Sequence, residues 1–123
     1  MILKDKDGDR AIHHAAFGNE PSCIELLSSN RLQCDLNARN KRRQTALHIG
    51  VNKLHLNVVV TLLKLNAHTS LQDMDADTPL HDAITKKNDD IIRILLEANA
   101  DLTICNANGF NSIHHAALRG NYR

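Results

Sequence analysis

Eight histidines and three cysteines carry most of the reactive chemistry available to this 123-residue sequence, and their spacing decides which chemistry that is. His13, His48, His81 and His114 stand 35, 33 and 33 residues apart, and two of them open doublets, His13-His14 and His114-His115. An imidazole can bind a metal, pass a proton or hold backbone in place through hydrogen bonds. Adjacent helical residues point about 100° apart, so neither doublet converges on one ion. Cys23, Cys34 and Cys105 share no metal-ligand spacing. Reduced thiols fit, with Cys23 expected as a small core filler among apolar neighbours and the other two near loops. The motifs GxGxxG, GxxxxGK[ST], HExxH and GxSxG do not occur in the sequence. The acidic run DMDADT at 73–78 opens like a calcium loop, yet Thr78 stands where that loop needs Gly and Ile84 where it needs Glu. Solvated turn residues are the better reading, and neither metal nor cofactor is expected.

The surroundings of the histidines explain them. RAIHHAA at 10–16, TALHIGV at 45–51, TPLHDAI at 78–84 and NSIHHAA at 111–117 superimpose. Downstream, CIELL at 23–27, VVTLL at 59–63 and IRILL at 92–96 recur in the same register, and a polar turn precedes each histidine. In the third copy Thr78 caps a helix N-terminus and Pro79 suits its first position. Leu80, Ala83 and Ile84 make an i, i+3, i+4 stripe, Asn88 and Asp89 start a second helix, and Ile91, Ile92, Leu95 and Leu96 line it. Two such short helices cannot bury their faces alone, so neighbours must stack into one continuous core. Each shared histidine then fixes a helix start, as with Thr45 and His48 or Thr78 and His81. Successive rings fall one unit apart, roughly 10 Å at helix-packing distances, too far to share an ion bound at about 2 Å. His13, His48, His81, His114, Thr45, Thr78 and Pro79 are therefore structural residues.

Composition agrees. Aromatic residues make up 2% of the chain, so Ala, Leu and Ile must do the packing. Lys+Arg 15 against Asp+Glu 14 leaves a net charge of +1, which points to neither nucleic acid nor a membrane surface. No apolar run approaches the roughly 20 residues of a membrane span, and no signal peptide opens the chain.

The period near 33 with its TPLH-type helix start resembles the ankyrin-repeat family, over nearly all of the chain. That resemblance implies an all-α solenoid of helix-turn-helix units with short β-turn or hairpin tips. Residues 1–4 read as the tail of a preceding repeat, 5–39, 40–72 and 73–105 as repeats one to three, and 106–123 as a truncated fourth. The open face of that last repeat, at Ile113, Ala117 and Leu118, predicts fraying beyond about residue 110 or self-association. The resemblance also implies partner docking along the turn tips and inner helices. By position these are Phe17; Lys41, Arg42, Arg43, Gln44, Asn52 and Lys53; Met74, Asp75, Asp77 and Lys86; and Phe110. Lys41-Arg42-Arg43 with Lys53 makes a basic patch suited to an acidic or phosphorylated protein segment, or else an ordinary solvated loop. Phe17 and Phe110 are candidate aromatic anchors, although Phe17 can equally pack between first helices. Arg43 and Ala76 replace the turn Gly present as Gly8 and Gly109, Leu54 and Lys87 replace the inter-helix Gly, and Asn66 and Asn99 the one after the second helix. Positive φ at Arg43 and Ala76 would carry strain of about 1 kcal/mol each.

A closer likeness lies in ILKDKDGDRAIHHAAFGNE, DLNARNKRRQTALHI, SLQDMDADTPLHDAITKK and NGFNSIHHAALRGN. These are similar to the ankyrin region of the Mind bomb family of E3 ubiquitin ligases, including loops such as NKRRQT that the repeat does not dictate. That resemblance implies a cytoplasmic multidomain ligase that ubiquitylates Delta and Jagged/Serrate Notch ligands and promotes their endocytosis. It also implies that ligand recognition and RING-type transfer lie in other domains, with any zinc confined to those. Three scattered cysteines cannot build a RING. The expectation is a non-catalytic scaffold segment with a protein partner, no nucleic-acid binding, no membrane insertion and no enzymatic activity. An ankyrin adaptor of an unrelated cytoplasmic signalling protein is the runner-up.

Overall fold

Thr45 and Thr78 sit in extended backbone, at φ −90° and −85°, and their hydroxyls accept the N–H of His48 and His81. Those caps satisfy donors that a helix start otherwise leaves bare. In the computed structural model, which describes residues 8–29 and 34–114, the helices run in pairs. They are α1 (Ala11–Phe17) and α2 (Pro21–Leu27), α3 (Ala46–Asn52) and α4 (Leu56–Lys64), and α5 (Pro79–Lys86) and α6 (Asp89–Glu97). Pro79 stands in the first turn of α5, and the Asn88 side chain caps α6 by accepting Ile91 N–H at 3.0 Å. Among the described residues there is no strand, and the fold is the all-α solenoid the sequence implies.

Helices of seven to nine residues are too short to stand alone in water. They are held by stacking: α1 packs on α3 and α3 on α5 in an inner row, while α2 packs on α4 and α4 on α6 in an outer row. One core runs through both rows, with Ile12, Ile24, Leu47, Leu62, Leu80, Ile91 and Leu95 fully buried and Ala16, Ala46 and Ala83 between them. Gly50 lets α3 approach α4 closely, since a Cβ there would meet Val58 Cγ1 at 2.9 Å. On α6 the apolar stripe is narrower than the sequence suggests. Ile91 and Leu95 are buried, whereas Leu96, a further 100° round the helix, is 43% exposed.

The tips and turns repeat as closely as the helices. Arg43 and Ala76 adopt φ +61°, the left-handed conformation that Gly8 and Gly109 hold in the flanking repeats. Asn19, Leu54 and Lys87 do the same between paired helices, as do Asn66 and Asn99 after the second. Each tip is closed by one short side chain that the repeat pattern alone does not single out. Asn40 Oδ1 accepts Arg42 and Gln44 N–H, Asp73 Oδ1 accepts Asp75 and Asp77 N–H, and Asn106 Oδ1 accepts Asn108 and Phe110 N–H. Adjacent tips are tied by Met74 N–H to Arg42 O at 2.8 Å and Ala107 N–H to Asp75 O at 3.0 Å. Ile113 is 64% exposed; Ala117 and Leu118, and the expectation placed on that face, lie outside the described residues.

Candidate interaction surface

Each buried histidine makes hydrogen bonds in two directions. His48 Nδ1 lies 3.1 Å from Thr45 N and 2.9 Å from Thr45 Oγ1, and its Nε2 lies 2.9 Å from Asp77 O. His81 repeats this with Thr78 at 3.1 and 2.9 Å and with Phe110 O at 2.9 Å. His13 does so with Arg10 N at 3.0 Å and Gln44 O at 2.9 Å. A carbonyl can only accept, so Nε2 carries the proton; a backbone N–H can only donate, so Nδ1 does not. The three rings are therefore neutral Nε2–H tautomers. Burial lowers the pKa of His48 against opposing effects from the Asp77 carbonyl and the charges of Asp73 and Asp77, and it lowers that of His13 likewise. Among the described residues His114 shows the local half, with its N–H on Asn111 Oδ1 at 2.9 Å, and is exposed.

The sequence places these histidines at helix starts, and the structure adds a second role. Each ring reaches across to the carbonyl just before the next repeat's cap, joining repeats one to two, two to three and three to four. The 33-residue period holds the signal, because a capping residue at constant register always faces the same point of its neighbour.

One carboxylate stands out. Asp82 on α5 is 9% exposed and accepts Asn52 Nδ2–H from α3 at 3.1 Å. Burial, reinforced by Asp73 and Asp77, pushes its pKa up to about 8 despite the Asn52 hydrogen bond and Lys86. Side-chain atoms of His48, Asp73 and Asp82 lie within 4.8 Å of one another, as do those of Asp73, Asp75 and Asp77. The first group is not a metal set, since both His48 nitrogens are committed; in the second, Asp73 Oδ1 accepts two backbone N–H groups and Asp77 Oδ1 accepts Asn106 Nδ2–H.

The partner-facing set divides in two. Gln44, Asn52 and Asp77 are half-buried and tie neighbouring repeats: Gln44 O receives His13, Asn52 donates to Asp82, and Asp77 Oδ1 receives Asn106 Nδ2–H at 3.0 Å. Lys41, Arg42, Arg43, Lys53, Met74, Asp75 and Lys86 are exposed. Arg42 and Arg43 side chains make no hydrogen bond or ion pair among the described residues, although the acidic tip of repeat three is bonded to the Arg42 carbonyl. Phe17 is 53% exposed beneath Lys53, whose Nζ lies 4.4 Å from the ring centroid. Phe110 is half-buried edge-on to His114 at 6.4 Å. Cys23 is not the core filler expected: it is exposed, its thiol donating to Glu20 Oε2 at 3.1 Å, because α2 turns Ile24 inward in its place. Among the described residues no helix is long and apolar enough to cross a membrane.

Two family models match the sequence, one for ankyrin repeats in three copies over residues 1–73 and one for ankyrin repeats in many copies over 80–123. The chain is 31% identical over 119 residues to the B-cell lymphoma 3 protein homolog of Mus musculus, covering 94% of this chain and 27% of that protein. It is 32% identical over 123 residues to the nuclear factor NF-kappa-B p105 subunit of Rattus norvegicus, covering 94% and 13%. It is 28% identical over 124 residues to the transient receptor potential cation channel subfamily A member 1 of Homo sapiens, covering 98% and 11%. The chain thus spans about a quarter or less of the length of these relatives.

Proposed function

This chain belongs to the ankyrin-repeat family of non-catalytic protein–protein interaction modules, and we propose that it docks an acidic or phosphorylated protein segment on its second-repeat tip. The observation that carries this reading is the exposed pair Arg42 and Arg43, uncommitted within the described fold. Arg43 holds its charge in a strained conformation, at φ +61°, where glycine would cost less. Lys41 extends the patch, and planar guanidinium groups suit bidentate contact with carboxylate or phosphate.

For the parent protein we propose a cytoplasmic Mind bomb-like RING-type E3 ubiquitin ligase that acts on the Notch ligands Delta and Jagged and promotes their endocytosis. In it this segment is a scaffold beside separate substrate and RING domains. Support comes from loops such as Asn40-Lys41-Arg42-Arg43-Gln44-Thr45, whose basic residues no packing requirement of the repeat explains. A second reading, an adaptor in an unrelated cytoplasmic signalling protein, is favoured by the spread of the relatives. Proteins as unlike as an NF-kappa-B subunit and a cation channel match at comparable identity.

Titration calorimetry with a glutamate-rich peptide and a phosphoserine peptide tests the docking site. Binding to the chain, lost in a Lys41→Glu/Arg42→Glu/Arg43→Glu variant of equal Tm, is the expected result; equal affinity for both proteins refutes it. Sequencing the parent onward for paired zinc-ligand cysteines separates the two parents.

A further inference from the structure

The turn between α3 and α4 contains a residue that the fold does not explain. Leu54 sits at φ +59°, where every L side chain but the short polar ones is strained, and it is 46% exposed. The equivalent positions of the neighbouring repeats hold polar residues, Asn19 and Lys87, at φ +56°. Asn tolerates this conformation and glycine adopts it freely. Leu54 stands outside the apolar core cluster, and it exposes apolar surface to water.

Leu54 is not isolated. Lys53 before it lies over the Phe17 ring, and His55 after it donates from Nε2 to Phe17 O at 3.2 Å. These two contacts bring the end of α1 against the turn, so 53%-exposed Phe17, 46%-exposed Leu54 and 40%-exposed Leu56 stand along one edge. Lys53 Nζ meets only the aromatic face among the described residues and pairs with no carboxylate there. This edge lies at the helix-turn end of the repeats, whereas Lys41–Arg43 occupy the opposite tips, so Lys53 stands apart from the basic patch in which the sequence places it.

We propose that Phe17, Lys53, Leu54 and Leu56 form a second docking site, which takes a short peptide segment of a partner protein carrying a large apolar side chain beside a carboxylate. The apolar side chain packs between Phe17 and Leu54, and the carboxylate meets the Lys53 ammonium held above the ring. A strained residue at an exposed edge with an unpaired cation beside it is the pattern expected where binding outweighs local stability. The site does not depend on the basic tip.

A random nine-residue phage-displayed library, panned on the chain with counter-selection on a Leu54→Asn variant, supplies the probe. Enriched peptides should combine Leu, Phe or Met with Asp or Glu and shift the backbone amides of residues 53–56. Their affinity should fall at least about tenfold in Leu54→Asn and in Phe17→Ala, the loss of one anchor contact, and stay unchanged in Arg42→Glu/Arg43→Glu. The Tm of Leu54→Asn should equal or exceed that of the parent chain, which separates lost binding from lost folding. The proposal is overturned if no Leu54-dependent peptide is enriched, if the enriched peptides are basic, or if they fail with Arg42→Glu/Arg43→Glu instead. Concentration-dependent dimerisation abolished by Leu54→Asn also overturns it, since the occupant is then a second copy of the chain.

Discussion

Replacing Asp82 by Asn should change how stability depends on pH, with a sign and window fixed by where that carboxyl sits. In the unfolded chain Asp82 loses its proton near 3.8; in the folded chain burial, with Asp73 and Asp77 nearby, holds the proton until about 8. Between those values the folded state binds the extra proton, so folding loses stability as pH rises, and the loss stops once both states are ionised. The gap of about 4 pH units, at about 1.4 kcal/mol each, bounds the effect at roughly 6 kcal/mol. The substituted carboxamide would still accept the Asn52 N–H through its oxygen but cannot ionise. Urea melts of both proteins from pH 4.5 to 8.5, read as the difference in ΔG, cancel the contributions of all other groups. That cancellation matters because the lowered pKa values of His13 and His48 push stability the other way: it rises as pH climbs towards 6.5. The difference should widen in favour of Asp82→Asn by about 1 kcal/mol per pH unit and flatten above about pH 8. Parallel stability profiles across that range would refute the reasoning.

Further outcomes follow from the same geometry. His48→Ala should destabilise by about 3 kcal/mol or more, because it opens a cavity and strands Thr45 N–H in the core; His114→Ala, at an exposed ring, should cost well under half of that by the same chemical denaturation. Arg43→Gly should stabilise by about 0.5–1 kcal/mol as the left-handed strain is relieved, whereas Asn66→Gly should change little. Differential scanning calorimetry on the pair resolves the contrast, and equal shifts would remove strain as the cause.

Most of the fold is legible in the sequence because repetition multiplies weak signals. The single TPLH is ambiguous, but four histidine-bearing helix starts in register with three downstream apolar stretches leave one architecture that buries them all. Left-handed turns at Arg43, Ala76, Leu54 and Lys87 can be read from the residues standing where glycine is expected. The hydrogen bonds between repeats are harder to see. That His48 reaches Asp77 O, or that Asn40, Asp73 and Asn106 close the tips, depends on how neighbours superpose, which spacing alone does not give. The acidity of Asp82 is hidden in the sequence for a related reason. Its shifted acidity comes from burial beside Asp73 and Asp77, an environment assembled by stacking, so the letters TPLHDAI say nothing of it. Cys23 is exposed because Ile24 alone of its apolar neighbours is buried in the core, while Leu26, three residues on and on the same face, is itself 62% exposed.

The histidines as inter-repeat ties can be tested most directly by long-range ¹H–¹⁵N spectra of the imidazole rings. His13, His48 and His81 should each appear as a single Nε2–H tautomer with an unprotonated Nδ1, and the Nε2 proton of His48 should show slow exchange and a coupling to the Asp77 carbonyl carbon. Rings that average between tautomers, or that carry the proton on Nδ1, would contradict the bridge.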